Sequence, residues 1–154
     1  SLYEERRKHM LRSKLFAALV VALFIFGMAI VGMAQSQKVK TVTLPSGEEV
    51  VDISGLWDTQ IENYGSWSEY GKYSTVTEII QEGSSFFGIR LKATTYHPAG
   101  SKTFRGELDK NGIKKLQLIT GMGPMDANGQ ISEDGKTIKF DIPDKARTTM
   151  IKKE

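Results

Sequence analysis

From residue 50 onward, short β-rich runs alternate with turn-forming residues, and this alternation constrains the fold more than any other feature. Asn-Gly and Asp-Gly pairs at residues 111–112 and 134–135 accept the positive φ angles that tight hairpins require. Helical periodicity is absent after Ala34. We therefore predict an all-β fold, a small antiparallel meander of about eight strands that closes into a β-barrel or folds into two packed sheets. The predicted strands are 51–63, 73–80, 86–95, 102–108, 113–120, 129–132, 137–142 and 146–152.

Alternation within the strands predicts which side chains face the core, because successive side chains of a strand point to opposite faces. In residues 86–92 the odd-numbered side chains are all large and apolar, whereas the other face carries Gly88 and Arg90. We therefore expect the odd-numbered face to point inward. The inward-facing residues predicted in this way are Trp57, Ile61, Phe87, Ile89, Leu91, Phe104, Leu108, Leu116, Leu118, Ile138, Phe140 and Ile142.

Residues 15–34 form a stretch of 20 uncharged residues directly behind five basic residues at positions 6, 7, 8, 12 and 14. This order, with the small residues Gly32 and Ala34 just before Gln35, is typical of a secretory signal peptide that is cut after Ala34. At about 1.5 Å per residue the stretch is also long enough to cross a bilayer, so a retained signal anchor is the alternative. In both cases the basic end stays in the cytoplasm and the following domain lies outside it.

These features divide the chain into three parts. Residues 1–34 are a basic n-region plus signal peptide or signal anchor that forms an N-terminal hydrophobic helix, residues 35–49 are a linker with a short extended segment, and residues 50–154 are the β-barrel domain. Met10 offers an alternative start, which would make residues 1–9 an upstream extension. The predicted location is extracytoplasmic, either periplasmic or secreted, or anchored with residues 15–34 as the sole membrane contact.

Charge and cysteine content exclude several classes of protein. Five of the 21 Lys and Arg and two of the 18 Asp and Glu precede Leu15, so residues 35–154 carry 16 of each sign. A neutral domain lacks the basic surface that nucleic-acid binding needs, and we predict no nucleic-acid partner. The sequence contains no cysteine, which rules out disulfides and thiolate metal sites. The exported domain must therefore be held together by its core.

The residues Gly55-Leu56-Trp57, near the start of the first long strand, resemble the Gly-x-Trp signature that opens the barrel of lipocalins and related calycins. The resemblance implies a calycin-like barrel that holds a ligand in its interior. It also implies that Gly55 lets the chain bend at the barrel floor and that Trp57 closes this end beneath a basic side chain from a late strand, a part that Arg147 could play. The simpler interpretation of Trp57 is a core plug of a small β domain.

Segment 64–73 carries four aromatic residues and two glycines between two strands. In a closed barrel it lies at the end opposite Trp57, where a ligand would enter. Aromatic rings with polar tips suit contacts with sugars, peptides or amphipathic small molecules, although the same rings could fold back as a lid on the core. The apolar loop 121–125 could line the same mouth. The predicted ligand-binding residues are Tyr64, Trp67, Tyr70, Tyr73, Phe87, Ile89, Leu91, Phe104, Leu118 and Phe140.

Candidates for catalysis are few. His97 is the single histidine after residue 34, and in its Tyr-His-Pro context a surface turn residue is commoner than a base. The sequence has no nucleophile elbow, zinc-binding helix motif or phosphate-binding glycine loop. Its carboxylates fall in turns or on outward faces, and residues 126–133 depart from the spacing of a calcium loop. We predict no enzymatic activity, no metal site and no cofactor.

Two functions remain from this reasoning. The first is an exported barrel that binds a small apolar or amphipathic ligand, with segment 64–73 at its entrance. The alternative is a non-catalytic cell-envelope structural or interaction module with a solid core, whose aromatic loop or charged outer face docks an envelope protein or a glycan. Interior volume separates them, since a cavity of roughly 300 Å³ or more favours the ligand binder and native packing density throughout favours the module.

Overall fold

A computed structural model describes residues 39–154, so the predicted signal segment and its cleavage site lie outside the described residues. Within residues 39–154 no helix has the length and apolar character needed to cross a membrane. The described part contains eleven strands and one 3₁₀ helix. Their bounds are β1 (Thr41–Thr43), β2 (Glu49–Val51), β3 (Gly55–Asn63), the 3₁₀ helix (Gly65–Tyr70), β4 (Lys72–Glu82), β5 (Ser85–Arg90), β6 (Lys102–Asp109), β7 (Gly112–Thr120), β8 (Gly123–Asp126), β9 (Asn128–Ile131), β10 (Thr137–Ile142) and β11 (Ala146–Lys152).

Nine strands form one antiparallel sheet in the order β8-β7-β6-β5-β4-β3-β11-β10-β9. The two ends of this sheet adjoin, because only Ala127 separates β8 from β9 along the chain. Gly129 of β9 lies against the side chains of Ile113 and Leu116 from β7, and its lack of a side chain permits this close approach. The sheet therefore curls into a nearly closed barrel, which confirms the predicted all-β antiparallel fold.

The predicted strands are all present, and β10 and β11 have the predicted bounds. The strand predicted over 51–63 is divided, because the chain turns at residues 52–54 before Gly55, whose φ is 113°. The strand predicted over 86–95 ends at Arg90, where Gly100 N–H donates to the Arg90 carbonyl at 2.7 Å and folds the following residues into a loop. Residues 123–126, expected as part of a loop, form β8.

The hairpin of β1 and β2 covers one end of the barrel, which we call the floor. Val50 and Ile53 are fully buried there, and Val42 and Leu44 pack against the same core. Asp52 is also buried, and its carboxylate accepts an ion pair from Lys40 Nζ at 2.8 Å. The floor is thus closed by a short segment whose polar group is paired.

The half of the barrel next to the floor is filled with side chains. Phe104 makes edge contacts with Phe86 and Phe140, with ring centres 6.2 and 4.9 Å apart. The large side chains buried in this core are Trp57, Ile79, Phe86, Phe104, Leu108, Leu116, Ile138, Phe140 and Met150. The inward direction predicted for Trp57, Phe104, Leu108, Leu116, Ile138, Phe140 and Ile142 is confirmed.

The face predicted for β5 is wrong. The structure buries Phe86, Gly88 and Arg90, whereas Leu91 is 41% exposed. Phe87 and Ile89 lie on the outer face and are only partly covered; the Phe87 ring carries Lys102 Nζ 4.6 Å from its centre. The inward choice depends on Gly88, because the Phe104 ring occupies the space where a side chain at this position would stand.

The barrel floor also corrects the part assigned to Arg147. Trp57 is fully buried and its indole Nε1 donates to the Ile53 carbonyl at 3.0 Å. The basic side chain over the Trp57 ring belongs to Lys152, whose Nζ lies 5.5 Å from the ring centre. Arg147 lies at the opposite end, outside the barrel, with its guanidinium carbon 4.5 Å from the centre of the Tyr64 ring. A late-strand cation does cover the tryptophan, but it comes from the end of β11.

Candidate functional site

The end of the barrel opposite Trp57 is open and holds a cavity of about 280 Å³, which we call the mouth cavity. It is surrounded by the upper ends of the strands, by the 3₁₀ helix and by the loops after β5 and β7. Its lining residues are Ile61, Asn63, Trp67, Tyr70, Tyr73, Arg90, Tyr96, His97, Thr103, Leu118, Ile119, Thr120, Gly121, Met122, Ala146 and Thr148.

One wall of the mouth cavity is aromatic. The rings of Tyr70 and Tyr96 meet edge to face with centres 5.2 Å apart, and Tyr73 contacts Tyr96 in the same way at 6.2 Å. Trp67, from the 3₁₀ helix, lines the same cavity and is partly buried. Offset and edge-to-face pairs of this kind fix ring positions, so the wall presents a defined apolar surface with hydroxyl groups at its edge.

Segment 64–73 is fixed at the mouth by its first residues. The Tyr64 hydroxyl donates to Asp141 Oδ1 at 3.0 Å and accepts from the backbone N–H of Asp144 at 3.2 Å. Ser66 N–H donates to the Asp144 carbonyl at 3.0 Å. Gly65, between them, has a φ of 53° and lies so close to Asp144 that a side chain would collide with it. Tyr64 therefore anchors the segment from outside and does not line the mouth cavity.

The loop after β7 forms the opposite lip. Met122 is 73% exposed and lines the cavity together with Gly121. The turn is held by Thr120, whose hydroxyl accepts from Met122 N–H at 3.1 Å and donates to the Gly123 carbonyl at 2.8 Å. The prediction that residues 121–125 contribute to the mouth thus holds for the first two, while the remaining three belong to β8.

Arg90 is the most unusual residue of the mouth cavity. It is 6% exposed, yet its Nε and Nη1 have no hydrogen-bond partner among residues 39–154. The described residues that line the cavity include no Asp or Glu. Burial lowers the pKa of Arg90, and the Tyr73 hydroxyl partly offsets this effect. An arginine side chain nevertheless remains protonated in a protein, so the cavity contains a buried positive charge without a counter-ion.

His97 lies close to this charge. It is partly buried at the edge of the mouth cavity, and burial lowers its pKa, with a further decrease from the positive charge of Arg90. A lowered pKa favours the neutral imidazole near pH 7. The expected surface turn residue is therefore part of the cavity wall, where it can donate or accept a hydrogen bond but adds no second charge.

The structure brings together only some of the predicted ligand-binding residues. Trp67, Tyr70, Tyr73 and Leu118 line the mouth cavity. Phe104 and Phe140 lie in the filled core, and neither lines the cavity. Phe87, Ile89 and Leu91 lie on the outer face or on the rim and Tyr64 is an anchor, as described above.

Sequence reasoning missed Arg90, Tyr96 and His97. The small residue Gly88 between Phe86 and Arg90 is the signal that could have found Arg90, because it marks a place where another side chain approaches the strand. Tyr96 and His97 follow from no periodic pattern, since the loop that carries them has none.

A second concavity, of about 410 Å³, lies on the outer face of β4 to β7. Its side chains carry both signs of charge, and two of its cations already have neighbours: Arg105 Nη2 donates to Gln117 at 3.0 Å and Lys102 stands over Phe87. This groove offers neither a buried unpaired group nor an aromatic wall. The mouth cavity is accordingly the better candidate for a binding site.

No protein-family model, curated protein or solved structure matches this chain significantly. The site is therefore interpreted from its own geometry. It combines apolar walls, several hydroxyl groups and one buried cation in a cavity that is open at one side, which suits non-covalent capture of a small molecule.

Proposed function

We propose that this protein is an exported β-barrel that binds a small amphipathic ligand in the mouth cavity. The observation that carries the proposal is the position of Trp67, Tyr70, Tyr73 and Tyr96 around one open cavity at the end of the barrel away from its floor. These rings offer a large contact area at a low cost in side-chain entropy. The proposal assigns the domain a binding role rather than a catalytic one.

The size of the cavity supports a small ligand. Its volume of about 280 Å³ is just below the lower limit of the roughly 300–1,000 Å³ that small-molecule sites usually provide. The filled lower half of the barrel leaves no room for a long chain to pass deeper, because Phe104 and Phe140 close the way. The ligand would thus be a compact molecule held near the rim.

The location of the domain belongs to the same proposal. The basic residues before Leu15 and the uncharged stretch 15–34 support export of residues 39–154 to the extracytoplasmic side. A calycin-like relationship would agree with a nearly closed barrel that opens at one end, and it too stays a proposal.

Tryptophan fluorescence provides a direct test. The full chain, kept in lipid nanodiscs because of its apolar stretch, is titrated with 3-phenylpropionate and with 3-phenylpropanol, and empty nanodiscs correct for partition of the probes into lipid. We expect saturable binding of at least one probe. Trp67→Ala should weaken it roughly 10-fold or more, since the variant loses a large contact in the cavity wall; its binding is followed by calorimetry.

Phe87→Ala is the matched control. It removes a ring of similar size from the outer face of β5, far from the cavity lining, and should leave binding unchanged. Saturable binding that resists Trp67→Ala, or that is lost in Phe87→Ala, would contradict the location. The absence of saturable binding for both probes would overturn the proposed function.

The filled core favours a second candidate, a non-catalytic envelope module. Trp57 and the aromatic contacts of Phe104 leave the lower half of the barrel packed, as a solid module requires. In that case segment 64–73 would dock an envelope protein or a glycan through its rings. A titration that saturates with neither small probe, followed by cross-linking of the chain to one envelope component through residue 67, would favour this candidate.

A further inference from the structure

We propose that the ligand of the mouth cavity carries a single carboxylate, which pairs with the guanidinium of Arg90, and that its body is apolar and compact. This inference rests on the proposed function and adds the chemical class of the ligand. Its starting point is an arginine that is 6% exposed and has two nitrogens without hydrogen-bond partners among residues 39–154.

A buried, unpaired guanidinium is costly. A charge that leaves water loses its hydration and must regain it from partners, so buried charges in proteins are almost always paired. The polar neighbour that acts on the pKa of Arg90 in a stabilising direction is the Tyr73 hydroxyl, a neutral group. No salt bridge to Arg90 is present among the described residues. An anion supplied from outside the chain would complete the site.

The surroundings of Arg90 select the kind of anion. Guanidinium groups bind carboxylates through two parallel N–H···O bonds, and Nε with one terminal nitrogen forms such a fork. A dianionic phosphate usually needs more than one cation, and the lining residues offer no second one, because the other basic group, His97, has a lowered pKa. A single carboxylate matches the single charge.

The remainder of the cavity sets the body of the ligand. Trp67, Tyr70, Tyr96, Leu118 and Met122 give it walls that are largely apolar. Arg90 lies at the upper end of β5, next to the filled core that begins at Gly88 and Phe104. A ligand would therefore enter with its carboxylate first and leave its apolar body between the aromatic wall and the lip of Gly121 and Met122.

Affinities of a matched pair of probes test the inference. 3-Phenylpropionate and 3-phenylpropanol share one body and differ in the head group. In the unmodified protein the carboxylate should bind roughly 10- to 100-fold more tightly than the alcohol, the ratio expected when a charge-assisted hydrogen-bonded pair forms in a desolvated site. Equal affinities would overturn the inference and leave the proposed function standing. Failure of both probes to bind would overturn both.

Arg90→Met assigns the preference to this side chain. The variant keeps an unbranched apolar stem and should lose the preference for the carboxylate while it still binds the alcohol within about threefold. Arg105→Met is the control, because Arg105 is exposed on the outer face and bonds to Gln117. A preference that survives Arg90→Met, or that Arg105→Met abolishes, would contradict the assignment.

A third probe and a second variant complete the experiment. Arg90→Lys keeps the charge but loses the two-point geometry, so its preference should fall between those of the unmodified protein and Arg90→Met. If 2-phenylethyl phosphate binds more than 10-fold more tightly than 3-phenylpropionate, the carboxylate assignment is wrong and the anion is a phosphate.

Discussion

The ring of Phe104 occupies the space that a side chain on Gly88 would need, since a Cβ atom there would lie less than 3.0 Å from three atoms of the ring. The two residues are paired across β5 and β6. Phe104 belongs to the filled core, whereas Arg90, two residues beyond Gly88, lines the mouth cavity. The pair therefore marks the boundary between the packed half of the barrel and the open half.

Gly88→Ala should destabilise the domain. The added methyl group must displace the Phe104 ring, and overpacking of this kind costs about 1–3 kcal/mol of unfolding free energy. Urea denaturation measures the loss. Gly121→Ala is the control, because a Cβ atom on Gly121 meets nothing within 4 Å. Equal stability of the two variants would show that the boundary is not tightly packed.

Lys152→Met should destabilise the barrel floor. Its Nζ stands over Trp57 and donates to the Asp52 carbonyl at 3.1 Å, so the variant loses a cation–π contact and a hydrogen bond worth about 1–3 kcal/mol together. Thermal unfolding with calorimetry measures the change. Arg147→Met removes a cation from the exposed Tyr64 ring and should cost less than about 1 kcal/mol. A larger loss in Arg147→Met would restore the role first assigned to that residue.

Asp52→Asn should make stability less dependent on pH. Burial raises the pKa of Asp52, but hydrogen bonds from Lys40 and Ser54 outweigh it and hold the pKa below the ordinary value. Because the folded-state pKa is the lower one, the carboxylate stabilises the fold above the unfolded-state pKa, and this contribution disappears as the pH falls through the folded-state pKa.

Urea denaturation from pH 7 to pH 2 measures this effect. At neutral pH, Asp52→Asn should cost about 1–2 kcal/mol, the range for a hydrogen-bonded charged group, and in acid the two proteins should converge. Glu62→Gln breaks the exposed pair with Lys72 and should change stability little across the range. A constant difference between Asp52→Asn and the unmodified protein would contradict the prediction.

Binding of a carboxylate should raise the pKa of His97. In the empty cavity burial lowers this pKa and the charge of Arg90 lowers it further. A carboxylate on Arg90 cancels that charge, so the imidazolium becomes easier to form; the other titratable groups of the lining are the phenols of Tyr70, Tyr73 and Tyr96. Binding should therefore tighten as the pH falls through the pKa of His97.

Titration of the His97 ring protons by NMR, with and without 3-phenylpropionate, measures this shift. The neutral 3-phenylpropanol is the control and should leave the pKa lower than the carboxylate does. An unchanged or decreased pKa of His97 in the carboxylate complex would mean that the anion does not lie beside Arg90.

Much of the barrel could be predicted from the sequence because its strands are separated by turn residues with specific backbone demands. Asn-Gly and Asp-Gly pairs mark two of these turns, and one-sided apolar alternation predicts the inward faces of β6, β7 and β10. The hairpin β1–β2 and the strand β8 are short, with three or four residues each, and too little pattern fits into such lengths.

The mouth cavity was harder to predict, and β5 shows why. Counting apolar residues selects the face of Phe87, Ile89 and Leu91, yet the structure buries Phe86 and Arg90. A rule that places apolar side chains inside fails where the interior holds a buried charge, and such failures are expected at functional sites. The misassigned face is thus itself a sign of the site.

The most direct test of the central claim is a ¹H–¹⁵N chemical-shift map of the full chain in nanodiscs, recorded with and without saturating 3-phenylpropionate. The account predicts the largest shifts at the Trp67 indole N–H, the Arg90 Nε–H and the backbone amides of Tyr96 and Met122, all of which belong to the lining of the mouth cavity. Shifts confined to the outer groove around Phe87 and Lys102, or no shifts at all, would contradict it.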